Sequence, residues 1–182
     1  MEDNAYILDY LPEGLPGERS FKREPIVYAL GEIEFKLFEL VPKPNAIIMI
    51  GEKVYIGKDV DKRDKIQHVK RRVGYEELTS ASHSELPYIV QDLVMNNENR
   101  FVQFFNTAQA ITTRYHMLEL LPGLGKKTMW AILEERKKGN FKTFKDLSDR
   151  VPSMKHPEKL VAKRIEIELS DPHQKYHLFV AR

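Results

Sequence analysis

The segment Leu118-Glu119-Leu120-Leu121-Pro122-Gly123-Leu124-Gly125-Lys126-Lys127-Thr128-Met129 joins two short apolar-faced stretches through Pro-Gly-Leu-Gly. Pro122 disfavours the helical conformation at Leu121 and so ends the first stretch. Gly123 and Gly125 permit backbone conformations closed to other residues and leave the main chain bare. Leu124, between them, is expected to point inward and pin the loop. The next helix opens with Lys126 and Lys127, where unpaired N–H groups and a partial positive charge favour an anion. Gly123, Leu124, Gly125, Lys126, Lys127 and Thr128 therefore read as a phosphate cradle without base-reading side chains, which predicts binding indifferent to base sequence. An isolated Gly-x-Gly means only a tight turn. Here a preceding proline, an intervening leucine, two following lysines and apolar helices on both sides coincide.

Outward from this loop the pattern stays helical. Thr112 or Thr113 is expected to start a helix carrying Tyr115, Leu118 and Leu121 on one face, and Met129, Ile132 and Leu133 define the next. Phe144, Leu147 and Val151 mark a third, capped at Thr143 with Asp146 at its third position. Pro157 opens a fourth, which holds Leu160, Val161, Ile165 and Leu169. Upstream, Leu86, Ile89, Val90, Leu93 and Val94 recur at helical spacing behind a Ser84 cap, with Pro87 in the first turn.

Before residue 84 the period is that of strands. Ile26 to Val41 alternates until a phase slip after Leu37, which reads as one long strand bent by a bulge. Ala46–Ile50 and Lys53–Ile56 flank Gly51-Glu52, a hairpin signal, and Ile66–Val73 is a further strand. Several short strands with a bent first one predict a small β-barrel of OB type. The expected fold is α+β: a barrel over residues 1–82, a helical bridge over 83–108, and a hairpin domain over 109–182.

Residues 112–139 resemble the helix-hairpin-helix motif, whose usual hairpin is Leu-Pro-Gly-Ile-Gly-Lys. The resemblance implies phosphate contacts from the backbone N–H groups of Gly123, Gly125, Lys126 and Lys127. Met129, after Thr128, stands where the motif carries a small residue, a departure that bears on how closely the helices approach there. Residues 144–167 read as a degenerate second copy, with Ser153-Met154-Lys155-His156 at the hairpin. Over its full length the chain resembles an uncharacterised archaeal family of predicted nucleic-acid-binding proteins with an OB-like and a helix-hairpin-helix domain. Ser84–Tyr88, Arg100–Asn106 and Leu121–Arg136 carry that likeness.

Charge distribution points the same way. Net charge is only +2, but residues 58–72 hold 7 basic and 3 acidic side chains, and residues 112–182 hold 15 and 9. Lys62, Arg63, Lys65, Lys70, Arg71 and Arg72, with Tyr55, form a candidate second contact surface. Tyr28, Phe35 and Phe38 read better as core. Trp130 is expected at a partly buried rim, and His116 as a structural residue. The six histidines make no metal signature, and no carboxylate cluster, P-loop or nucleophile elbow is present. The chain is thus expected to be a nucleic-acid-binding protein and not an enzyme, without cofactor, metal or membrane span, and cytoplasmic. DNA and RNA are equally compatible. A protein-interaction scaffold built on the hairpin domain is the competing class, and it would show little salt-dependent affinity; a nucleic-acid-processing enzyme ranks behind it and would show metal-dependent turnover.

Overall fold

In the computed structural model, which describes every residue except Ser20 and Lys22, the chain is a mixed α+β protein. It divides into two compact units, Met1–Ile89 with Glu168–Arg182, and Val90–Ile167.

The first unit is built on a curled antiparallel sheet of five strands in the order β4-β1-β2-β3-β5. Its strands are β1 (Asn4–Leu11), β2 (Ile26–Gly31), β3 (Leu37–Pro42), β4 (Lys53–Tyr55) and β5 (Ile66–Arg72). With β4 and β5 at its edges, the sheet is a half-barrel and not a closed barrel. Ala5, Ile7, Val27, Ala29, Phe38, Leu40, Val54, Ile56 and Ile66 form one apolar cluster on it. The register shift between Ile7 and Asp9 is a bulge, which lets the consecutive Ile7 and Leu8 both be buried.

Ile26–Val41 is not one bulged strand. It is a hairpin in which Val27 pairs with Leu40 and Ala29 with Phe38. The phase slip comes from the turn between β2 and β3, closed by the Gly31 N–H donating to the Lys36 carbonyl. The buried Glu2 carboxylate accepts the amides of Ile33 and Glu34, holding that turn from the start of the chain. A side chain at Gly31 would collide with Glu2. Phe35 takes a left-handed φ of 54° and is fully buried.

Ala46–Ile50 is also not a strand. The turn consumes Met49 through Glu52, whose N–H bonds the Met49 carbonyl, and Gly51 and Glu52 already pair with Ile7 of β1. Too little chain remains to pair, and Ile47, Met49 and Ile50 stay exposed.

Helix α1 (Ser80–Asn96) starts ahead of Ser84. Thr79 caps it, accepting the Ser82 N–H, which leaves Pro87 inside the helix and not in its first turn. In the second unit, α2 (Glu98–Thr107), α3 (Lys126–Arg136), α4 (Phe144–Arg150) and α5 (Pro157–Ser170) follow. The boundary between the units falls inside α1 and α5, not at residues 82 and 108. The tail joins the first unit because Glu168 accepts the amides of Phe179 and Val180 and the Ala181 N–H donates to Glu34.

No α-helix starts at Thr112 or Thr113. Residues 110–116 turn back through an Ala110–His116 bridge, and one 3-10 turn, Met117–Leu120, stands before the loop. The Tyr115 carbonyl is turned back to accept the Ile111 and Thr112 amides, and the Glu119 N–H goes to His116 and not to Tyr115, so no α-helical ladder runs through this segment.

Candidate nucleic-acid interface

His116 anchors the approach to the loop. Its Nδ1 accepts the Leu118 N–H at 3.0 Å, while the Glu119 carboxylate accepts the His116 N–H at 2.8 Å. Burial, helped by the Arg136 charge, pushes the imidazole down and keeps it neutral, the state that can accept this bond. The other Glu119 oxygen takes the Lys126 ammonium at 2.7 Å, and the same ammonium donates to the Arg114 carbonyl at 3.0 Å. The Lys126 bond, reinforced by the His116 amide, holds the Glu119 carboxyl below the usual range.

Pro122 and Gly123 then turn the chain. Gly123 has φ +86°, and the Leu124 N–H bonds back to the Leu121 carbonyl at 3.2 Å. Leu121 and Leu124 are buried. Gly125 is the N-cap of α3 in extended backbone, φ −90° and ψ 178°, and no side chain caps the helix. Among the described residues, the amides of Gly123, Gly125, Lys126, Lys127 and Thr128 have no acceptor within the chain. Nothing lies within 4 Å of where a Gly125 side chain would begin. The loop thus presents a group of open donors at the positive end of a helix, a geometry suited to an oxyanion.

The two lysines differ. Lys126 is tied to Glu119, whereas exposed Lys127 has no acidic partner among the described residues. The Thr128 hydroxyl donates to Ser153 at 3.0 Å, so its contribution to a ligand is its amide. Met129 is buried in this unit despite its size. At the far end of α3, Lys137 and Lys138 pair with Glu134 and Glu135. Arg150 gathers the carbonyls of Glu135, Gly139 and Asn140, closing the end of that helix.

The segment 144–167 is a second helix–loop–helix. Val151-Pro152-Ser153-Met154 matches Leu121-Pro122-Gly123-Leu124 at a spacing of 30 residues. Val151 and Met154 are buried as Leu121 and Leu124 are, and the Met154 N–H returns to Val151 at 2.9 Å. Ser153 has no positive φ, so the Gly123 backbone geometry is not repeated.

The candidate second surface is largely neutralised by its own carboxylates. Lys62 faces Asp59, Lys65 pairs with Glu52, Lys70 with Glu24 and Glu39, and Arg71 with Glu39 and Glu77. Arg63 donates to the carbonyls of Gly57, Gln67 and Ile56. The Tyr55 hydroxyl accepts the Asp59 N–H. Arg72 is exposed and has no acidic partner among the described residues. Tyr28, Phe35 and Phe38 are core.

The pairing of Glu119 with Lys126 and the exposure of Trp130 were not read from the sequence. Trp130 is 58% exposed on α3, clear of the partly buried rim expected of it. No helix among the described residues is long and apolar enough to cross a membrane. No group of three His, Cys, Asp or Glu placed to hold a metal occurs among them.

Comparison with known proteins adds relatives. The family model described as "Protein of unknown function (DUF655)" matches residues 1–181. An uncharacterised protein of Methanocaldococcus jannaschii, MJ0038, is 53% identical over 180 residues, covering 98% of this chain and 80% of that one. The crystal structure of Af1531 from Archaeoglobus fulgidus, of the same family, matches with a TM-score of 0.90 at 45% identity. That match covers 99% of this chain and 100% of the other.

Proposed function

The chain belongs to the DUF655 family of proteins of unknown function, and from its own residues we propose that it binds nucleic acid through the phosphate backbone. The contact is the hairpin Leu121–Lys127, read as a helix-hairpin-helix loop, with the half-barrel as an OB-like partner domain. The observation that carries this reading is the set of amides at Gly123, Gly125, Lys126, Lys127 and Thr128 that have no acceptor among the described residues. Buried or helix-terminal donors seek a partner, and oxyanions suit them best.

Charge supports it. Residues 90–167 hold 14 lysines and arginines against 9 aspartates and glutamates. Backbone contacts carry no base information, so affinity is expected to be the same for unrelated sequences.

The test is salt dependence. Lys127, which has no carboxylate partner among the described residues, is the side chain expected to displace counterions. Replacing it by alanine lowers the slope of log affinity against log salt by about 0.7 for single strands and about 0.9 for duplex. The pair Lys137 and Lys138, already bound to glutamates, serves as the control and leaves the slope nearly unchanged. An equal effect from that control pair means diffuse attraction to a basic surface. An absence of salt-dependent binding fits a protein scaffold instead. Labelled oligonucleotides followed by anisotropy supply both slopes.

A further inference from the structure

Trp130 is the single tryptophan of the chain and is 58% exposed. It lies on α3 three residues after Lys127, so the two share a helix face, and Trp130 follows the open amides of Lys127 and Thr128 by less than one turn. Ala131, the neighbouring exposed position, is too small to cover the ring. Glu134, one turn further on, is already engaged by Lys137 at 2.9 Å. A large aromatic face therefore stands open to solvent beside a cation and a row of donors that have no partner among the described residues.

We infer that the hairpin's ligand is single-stranded nucleic acid, held with its phosphate on the loop amides and Lys127 and a base stacked on Trp130. This rests on the reading of the loop as a phosphate site. Phosphate contact alone serves a duplex and a single strand equally. A stacking platform does not, because the base faces inside a duplex are covered by their neighbours, whereas those of a single strand are open. Stacking is tolerant of base identity, since every base has a π-face, and so agrees with backbone recognition. The sugar is not selected by either contact.

Having one tryptophan makes the test direct. The parent protein is titrated with oligo(dT), oligo(rU) and a blunt-ended duplex, recording intrinsic fluorescence and, separately, anisotropy of a label on the nucleic acid. Quenching of Trp130 by both single strands is expected, with no quenching by the duplex. Trp130→Ala is expected to weaken single-strand binding roughly tenfold and duplex binding by less than about twofold, while Trp130→Phe retains most of the affinity. The exposed position makes these variants fold like the parent, which circular dichroism verifies. Quenching by only one single strand assigns the sugar and keeps the stacking. Binding of single strands without quenching, or with unchanged affinity in Trp130→Ala, overturns the inference while leaving phosphate binding intact. Absence of salt-dependent binding by any of the three overturns both.

Discussion

Gly125→Val is expected to bind nucleic acid roughly 10 to 100 times more weakly than the parent while keeping its fold. The backbone at Gly125, φ −90° and ψ 178°, is one that any residue adopts. Open space lies where its side chain would begin, so the protein does not resist the change. The cost to the fold is a poorer N-cap, about 1 kcal/mol. The same open space is where a phosphate must approach the amides of Lys126, Lys127 and Thr128. Two branched methyl groups there keep an oxyanion from hydrogen-bonding distance. Losing one charge-assisted bond at about 1.5–3 kcal/mol gives roughly that range. Equilibrium binding together with a thermal melt separates the two effects. Unaltered affinity in a folded Gly125→Val protein means that the ligand does not enter here.

Gly123→Val acts on the fold itself. Gly123 sits at φ +86°, in the region that L side chains rarely adopt. Leu160 lies 4.0 Å from the added carbon, so the penalty is conformational and not a collision. A β-branched residue forced into that region loses about 1–3 kcal/mol of stability, against about 1 kcal/mol at Gly125. Denaturant unfolding followed by far-ultraviolet circular dichroism measures the difference. Equal destabilisation by the two substitutions contradicts the distinct roles assigned to these glycines, the first shaping the turn and the second clearing the approach.

The parts of the fold legible in the sequence are those set by neighbouring residues. Pro122, Gly123 and Gly125 punctuate the chain locally, so the end of the turn at Leu121 and the start of α3 at Lys126 follow from them. Thr143 likewise caps α4, accepting the Asp146 N–H at 2.9 Å. What was missed depends on distant partners. The turn Glu32-Ile33-Glu34-Phe35 imitates strand alternation, and its true shape is held by Glu2, some 30 residues earlier. Strand β1 hides its period because the bulge after Ile7 buries two consecutive residues. At the site, the loop was readable but the state of its lysines was not. Lys126 and Glu119 meet across a turn, seven residues apart, and not at the three- or four-residue spacing of contacting helix neighbours, so nothing in their separation announces the pair. Trp130 sits one position off the buried face of α3, and whether it is covered depends on what packs nearby. The ion pairs that neutralise Lys65, Lys70 and Arg71 are cross-strand or loop contacts, invisible to a count of charges along the chain.

Phosphate contact at the hairpin is measured most directly by amide chemical-shift mapping during titration with two oligonucleotides of unrelated sequence. The N–H signals of Gly123, Gly125, Lys126, Lys127 and Thr128 are expected to move together and downfield, as donors gaining an oxyanion do, and equally for both oligonucleotides. Signals from Lys58 to Arg72 move little, since most of the cations there are held by their own carboxylates and carbonyls. The contradicting result is the reverse pattern: stationary amides at 123–128 with shifts concentrated at 58–72, which places the nucleic acid on the half-barrel.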